Sequence, residues 1–236
     1  MITVITHVYN EAIILPFFIE QYKKRFNDCK FIIYDHMSTD GTYQFLLNQP
    51  NVSVRQFNTN GKIIHSKYLN IKNNAWKEAA TNWVCVSDSD EIININEAQL
   101  KQEKSNIIKF KGFNMVNMQN SLNHFNDIKY GVRDRNYDKF HLFNKKYIEE
   151  INYSDGAHTI NPKAFKNKNI IYSEKCYHTY HYHFIDVDYC IKRYDERSRR
   201  LSQESKKKKL GIHYLKNKQQ IISRFHELRR NAVKVI

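Results

Sequence analysis

The sequence predicts an α/β fold: a mostly parallel central sheet with helices on both faces. Three observations predict it. From Ile2 to Ser87, short apolar or β-branched runs alternate with segments of helical period, and that alternation marks a parallel sheet covered on both sides. The polar clusters 7–11, 35–42 and 88–91 each follow one of those runs, beyond the carboxyl ends of strands, where such sheets bind ligands. Finally, 236 residues with 41% hydrophobic and 26% charged content suit one sizeable domain with or without a small appendage, and exclude a disordered chain.

Taken in order, Ile2–Thr6 reads as a strand ending at His7-Val8-Tyr9-Asn10-Glu11. A helix over 12–25 follows, with Ile14, Leu15, Phe18, Ile19 and Tyr22 at helical spacing and Pro16 in the first turn, where its missing N–H costs nothing. Lys30–Tyr34 is a second strand. It leads into Asp35-His36-Met37-Ser38-Thr39-Asp40-Gly41-Thr42, a turn rich in helix-capping residues before a short helix over 43–47. Val52–Phe57 is a third strand, 63–80 a helix and Trp83–Ser87 a fourth strand. Strands are expected at 107–110, 112–116 and 139–144, separated by an Asn- and Asp-rich connection. A further strand at 176–184 alternates aromatics with histidines, and helices at about 185–205 and 214–234 finish the reading.

The formal charge of +14 favours an anionic partner: nucleic acid, anionic lipid or a polyphosphate substrate. Much of the excess falls late, from Lys192 through the run Lys206 to Lys209 and on to Lys234. Cys29, Cys85, Cys176 and Cys190 show no close pair spacing, so reduced structural thiols are expected. The chain enters its first strand without a basic leader, and no apolar run approaches the roughly 20 residues of a membrane span. The expected location is cytoplasmic, with peripheral contact at the inner face of the cytoplasmic membrane as a second expectation.

The chemistry concentrates in Val84-Cys85-Val86-Ser87-Asp88-Ser89-Asp90-Glu91. On a strand, Asp88 and Asp90 share one side. Two such carboxylates are unfavourable together without a cation or ligand between them, and their hard oxygens suit Mg²⁺ or Mn²⁺, which also bind phosphates. His178, His181 and His183 lie within six positions; His181 and His183 would share a strand face, and one of them is a candidate for the metal or a diphosphate. In Ser154-Asp155-Gly156, Asp155 is a candidate general base; the plain alternative is an Asp-Gly turn. Asn10 and Glu11 can face a nucleotide, Asp35 can accept from a base N–H, and Lys62 and Lys67 are candidate phosphate or base contacts. Arg133 and Arg135 are candidates for an anionic sugar.

Together, Tyr9-Asn10-Glu11, Ser38-Thr39-Asp40-Gly41-Thr42 and the stretch from Trp83 to Glu91 resemble the family 2-type glycosyltransferases of GT-A fold, in particular the small bacterial branch acting in capsule, lipopolysaccharide or other surface-glycan synthesis. The resemblance covers about residues 1–95 specifically and 110–185 weakly. It implies inverting transfer of a sugar from a nucleotide-diphosphate donor to a hydroxyl of a glycan or lipid-linked glycan acceptor. It places Tyr9, Asn10, Glu11, Asp35, Lys67, Asp88 and Ser89 at the donor, and Asp88 and Asp90 with His181 or His183 at Mn²⁺ or Mg²⁺. It implies a carboxylate base on the acceptor side: Asp155, with Glu91 in reserve. Many relatives carry adjacent aspartates where this chain has Asp35-His36. On this basis 1–184 is a catalytic domain, with 1–95 the nucleotide half and 96–184 the acceptor half, and 185–236 a basic helical extension. That extension is expected to dock on its own domain, a second subunit or an anionic membrane. Two other classes compete: a nucleic-acid-binding module, resting on the charge and the aromatics, and a metal-dependent nucleotidyltransferase, which also needs paired aspartates.

Overall fold

A computed structural model of the chain describes residues 1–119 and 124–236. The strands are β1 (Ile2–Val8), β2 (Cys29–Asp35), β3 (Val52–Gln56), β4 (Trp83–Val86), β5 (Glu91–Ile93), β6 (Ile107–Val116), β7 (Tyr130–Arg133), β8 (Leu142–Asn144), β9 (Ile148–Glu150), β10 (Lys163–Ala164), β11 (Tyr172–Phe184) and β12 (Val233–Lys234). The helices are α1 (Leu15–Arg25), α2 (Thr42–Leu47), α3 (His65–Asn74), α4 (Glu97–Gln102), α5 (Val187–Arg200), α6 (Gln203–Lys207) and α7 (Lys218–Asn231). One large sheet runs β12-β7-β6-β8-β4-β1-β2-β3, with β11 pairing β6 and β5; β9 and β10 form a separate hairpin.

The strands β3, β2, β1 and β4 are parallel, and alternation along them splits the core in two. Val4, Phe31, Ile33 and Cys85 pack with Phe18, Ile19 and Tyr22 of α1 on one face. Ile5, Ile32, Val84 and Val86 pack with Ala75 and Trp76 on the other. Burial on both faces explains why these strands read as continuous apolar runs. The expected α/β class therefore holds. The second half of the sheet is largely antiparallel, through β8 against β4 and β6, β7 against β6 and β5 against β11, while β11 and β6 run parallel.

Several boundaries differ from expectation. The helix expected over 63–80 is α3 followed by a 3₁₀ turn at Ala75–Glu78, where the Asn73 side chain bonds both the N–H and the carbonyl of Tyr153 instead of facing solvent. The helix expected over 185–205 breaks at Leu201, which bridges to Ile63, and Ser202 caps α6. The helix expected from 214 starts later, at α7, under an Asn217–Gln220 capping box. Its Ile221, Phe225 and Leu228 bury against α5, Val116 and Phe184, so α7 docks on its own chain. Within the Asn- and Asp-rich connection, residues 120–123 lie outside the described part. Among the described residues all four cysteines are free, and no helix is long and apolar enough to cross a membrane.

Candidate active site

A cavity of about 430 Å³ opens beyond the carboxyl ends of β1 and β4 and takes its walls from distant parts of the chain: residues 7–11 and 88–91, Asp155, Gly156, His158, His181, His183, and Arg193, Arg197 and Arg200. Two interlocked loops shape its entrance. Asn10, in a left-handed conformation (φ 53°), accepts from the Thr39 N–H (2.8 Å), while its own N–H donates to Ser38 Oγ (3.0 Å). The Glu11 N–H donates to Thr42 Oγ1 (2.9 Å) and the Ala12 N–H to Asp40 Oδ2 (3.1 Å). The Ser-Thr-Asp-Gly-Thr segment thus acts as a clamp on the loop after β1.

The acidic stretch is placed differently from expectation. β4 ends at Val86, and residues 87–90 form a turn into β5, so strand alternation does not govern Asp88 and Asp90. Asp88 meets Lys72 Nζ (2.7 Å) and Lys139 Nζ (3.4 Å). Burial opposes its charge, but those two ammonium groups outweigh it and hold the carboxyl well below the usual range. Asp90 turns toward β11: its Oδ2 lies 3.4 Å from His181 Nε2 and 3.7 Å from His183 Nδ1. Burial again opposes ionisation, and Arg193 with His181 overcomes it, so this carboxyl too sits well below its ordinary value. Ser89 is buried at the same cavity.

Asp90, His181 and His183 each offer a ligand atom within 4.8 Å of the others, and the surroundings fit a divalent cation. Asn114 donates its amide to Asp134 (2.8 Å), which turns its oxygen to His181 Nδ1 (2.7 Å). That bond fixes the His181 ring and points its Nε2 at Asp90, the kind of second contact that orients metal-binding imidazoles. His183 Nδ1 is buried without a partner, and burial lowers its pKa to about 3, so the ring stays neutral as a ligand must. Two imidazoles and one carboxylate suit a first-row ion such as Mn²⁺ better than Mg²⁺. The sequence left His181 and His183 as alternatives; both face Asp90. His178 is on the other face, against Phe113, and Tyr180 and Tyr182 join the core beside α1.

The other sequence candidates divide. Tyr9, Asn10, Glu11 and Asp155 line the cavity, Asp155 exposed at its mouth on the 3₁₀ turn Asp155–Ala157. Glu91 also borders it, but is buried, its Oε1 bound to Lys139 Nζ at 2.6 Å. Asp35 is fully buried off the cavity, accepting from the Ser38 N–H and Gln56 Nε2. Lys67 is exposed outside the cavity. Lys62 reaches the Arg199 carbonyl (3.4 Å) and Arg133 pairs with Asp138 (2.6 Å); neither these nor Arg135 lines the cavity. His36, beside Asp35, stacks on Phe57 and accepts at Nδ1 from Arg200 (2.6 Å).

Sequence reading missed Lys72, Lys139 and the arginines of α5. Arg193 and Arg197 both reach Glu11 (2.8 and 3.4 Å), and Arg200 stacks over Tyr9 with its guanidinium carbon 3.1 Å from the ring centre. Their spacing, i, i+4 and i+7, is that of one helix face and was a usable signal. The lysines carried none.

No protein-family model matches the chain, and no curated protein matches it. Solved structures similar to it include Staphylococcus aureus TarS 1–349 (20% identity, 94% of this chain and 72% of that one, TM-score 0.45). A longer S. aureus TarS structure is 18% identical over 77% of this chain, TM-score 0.43, and the present chain spans only 36% of its length. The mannosyltransferase PcManGT from Pyrobaculum calidifontis, in complex with GDP-Man and Mn²⁺, is 19% identical over 46% of this chain and 34% of that one, TM-score 0.34. These are distant likenesses, and the functional reading below rests on the chain's own residues.

Proposed function

We propose that this chain is a glycosyltransferase that moves a sugar from a nucleotide-diphosphate donor to a hydroxyl of a surface glycan, with inversion and with a divalent cation at Asp90, His181 and His183. The observation that carries this reading is the carboxylate–imidazole–imidazole cluster at the floor of a cavity beyond the carboxyl ends of parallel strands. When bound, the cation supplies charge neutralisation to a leaving diphosphate. Arg193, Arg197, Lys72 and Lys139 add fixed positive charge around the same space, held in place by their ion pairs with Glu11, Asp88 and Glu91. Asp155, at the mouth, takes the proton of the acceptor hydroxyl as its oxygen bonds to the anomeric carbon and the bond from that carbon to the diphosphate oxygen breaks. Glu91 is less suited to that task because Lys139 already holds it. Asp88 holds Lys72 and Lys139 in place beside the ion rather than binding it. In this reading 1–184 form the catalytic body, and 185–236 close the donor side.

The exposed stretch from Lys206 to Lys218 supports an acceptor at a membrane surface. It carries six lysines, and its 3₁₀ turn Ile212–Leu215 puts Ile212 (45% exposed) and Leu215 (53% exposed) on one edge. Lys209 and His213 of the same stretch line the cavity mouth. The protein should therefore sediment with vesicles containing anionic lipid and not with neutral ones, and Ile212→Glu/Leu215→Glu should weaken that binding several-fold. Unchanged binding by the variant would remove the membrane assignment.

The enzymatic reading is tested by thermal unfolding with UDP, GDP, CDP and ADP, with and without Mn²⁺, on the wild type and Asp90→Asn. Binding to the folded state raises the melting temperature. A Mn²⁺-dependent rise with one diphosphate, absent in the variant, is expected. No rise with any of them would sink the proposal. Release of pyrophosphate instead of a nucleoside diphosphate on turnover would point to nucleotidyl transfer.

A further inference from the structure

Arg193 is the one cation of α5 that touches the metal cluster. Its side chain is buried, with Nη2 2.8 Å from Glu11 Oε1 and 3.0 Å from Asp90 Oδ2, and Nη1 2.7 Å from the Tyr189 hydroxyl. Its Nε, equally buried, has no partner. The Asp90 oxygen it approaches is the same one that His181 and His183 approach. A metal ion bonded to that oxygen at about 2.0–2.2 Å would stand beside a guanidinium on the same atom, two like charges among buried side chains.

We propose that Arg193 and the divalent cation are alternative partners of Asp90. In the ion-free protein Arg193 neutralises Asp90; when the ion binds, Arg193 gives up Asp90, keeps Glu11 as its anchor, and turns Nη2 and the unpartnered Nε to the diphosphate. One residue thus holds the carboxylate until the ion arrives and then becomes a ligand of the leaving group. The anchor matters: Glu11 lies on the clamped loop after β1 and Tyr189 one turn back on α5, so Arg193 pivots and does not leave the site. The inference rests on the metal site proposed above.

The test is direct Mn²⁺ binding without nucleotide, read from the electron paramagnetic resonance signal of free Mn²⁺. The wild type is compared with Arg193→Met, Arg197→Met and Asp90→Asn. Arg197 is the control: it carries the same charge one turn along the same helix and reaches Glu11, yet makes no ion pair with Asp90. If Arg193 occupies the ion's place, Arg193→Met tightens Mn²⁺ binding about tenfold or more, a typical coupling between sites, Arg197→Met changes it less than about threefold, and Asp90→Asn removes it. Equal tightening by both arginine variants would reduce the effect to the general field of the helix and overturn the inference while leaving the metal site standing. Unchanged or weaker binding in Arg193→Met would overturn it as well. Absence of Mn²⁺ binding in every protein would instead remove the metal site, and the inference with it. Should Arg193→Met unfold because Glu11 keeps only the more distant Arg197, Glu11→Gln/Arg193→Met removes both charges of the closer pair and carries the same expectation.

Discussion

Lys139 shows what a single buried charge does here. Only 4% exposed, it lies between Glu91 (2.6 Å) and Asp88 (3.4 Å); burial would lower its pKa, but the two carboxylates raise it above the ordinary lysine value. Removing one partner of a buried pair leaves the others uncompensated, at about 3–5 kcal/mol. Lys139→Met should therefore lower unfolding stability by that amount in urea titrations, and Glu91→Gln in the same background should restore part of it. At this scale the sequence was half legible. Asp88-x-Asp90-Glu91 announces itself, because three carboxylates closing an apolar run need an explanation. Which of them faces the histidines of β11 was hidden, because Lys72 and Lys139, the residues that hold Asp88, have no local pattern. Asp35 is a related case: its place at a strand end matches a ligand contact, and in the folded chain the Ser38 N–H, shared between both its oxygens, and Gln56 Nε2 bond it inside the turn.

Among elements, β6 and the 3₁₀ turn Arg135–Tyr137 lie in close contact at Gly112. A Cβ on Gly112 would lie 2.2 Å from Tyr137 Cβ and 2.5 Å from its carbonyl carbon, so only glycine fits. The Tyr137 ring in turn stacks on His181, with centroids 3.9 Å apart. Gly112→Ala must push that turn outward. A loss of about 3 kcal/mol, at the upper end of overpacking costs, is expected in thermal melts, together with weaker Mn²⁺ binding in whatever fraction stays folded. A variant as stable as the wild type would show that the turn is not packed so tightly. The parallel elements were well legible, since Ile2–Val8 and Cys29–Asp35 are apolar on both faces. The short antiparallel pieces β5, β7, β9 and β10 were not: with two to four residues each, they are too short to carry a pattern of their own and are held by their partners, β11 for β5, β6 and β12 for β7, and each other for β9 and β10.

For the whole molecule the distinctive property is a set of buried neutral imidazoles. Burial, then Lys72, brings His7 down to about 3, and burial brings His36 and His141 to about 4. Each folded value lies below the unfolded one near 6.5, so the contribution to stability is complete above that pH and is lost as pH falls toward 4 and then 3. Asp88 and Asp90, with depressed values, stay ionised throughout that window and add their own loss only below about pH 4. The unfolding free energy should thus fall by about 2 kcal/mol per such histidine between pH 7 and 5. His7→Asn should flatten the profile by about one histidine's share in denaturant melts at the two pH values; an unchanged slope would show that His7 is not held neutral. The site as a whole was least legible of all, because residues 7–11 and 193–200 meet only in the folded chain.

β11 carries its own arithmetic. It places His181 and His183 toward Asp90 and Tyr180 and Tyr182 toward α1, and the Tyr182 N–H fixes its position by donating to the Asp90 carbonyl at 2.7 Å. Side chains alternate along it, so insertion or loss of one residue ahead of the histidines would exchange the two sets, sending tyrosines toward Asp90 and imidazoles into the hydrophobic layer. Insertion or loss of two would restore the faces. Length changes in this strand should therefore obey a parity rule, with odd ones lethal to the site and even ones repairable.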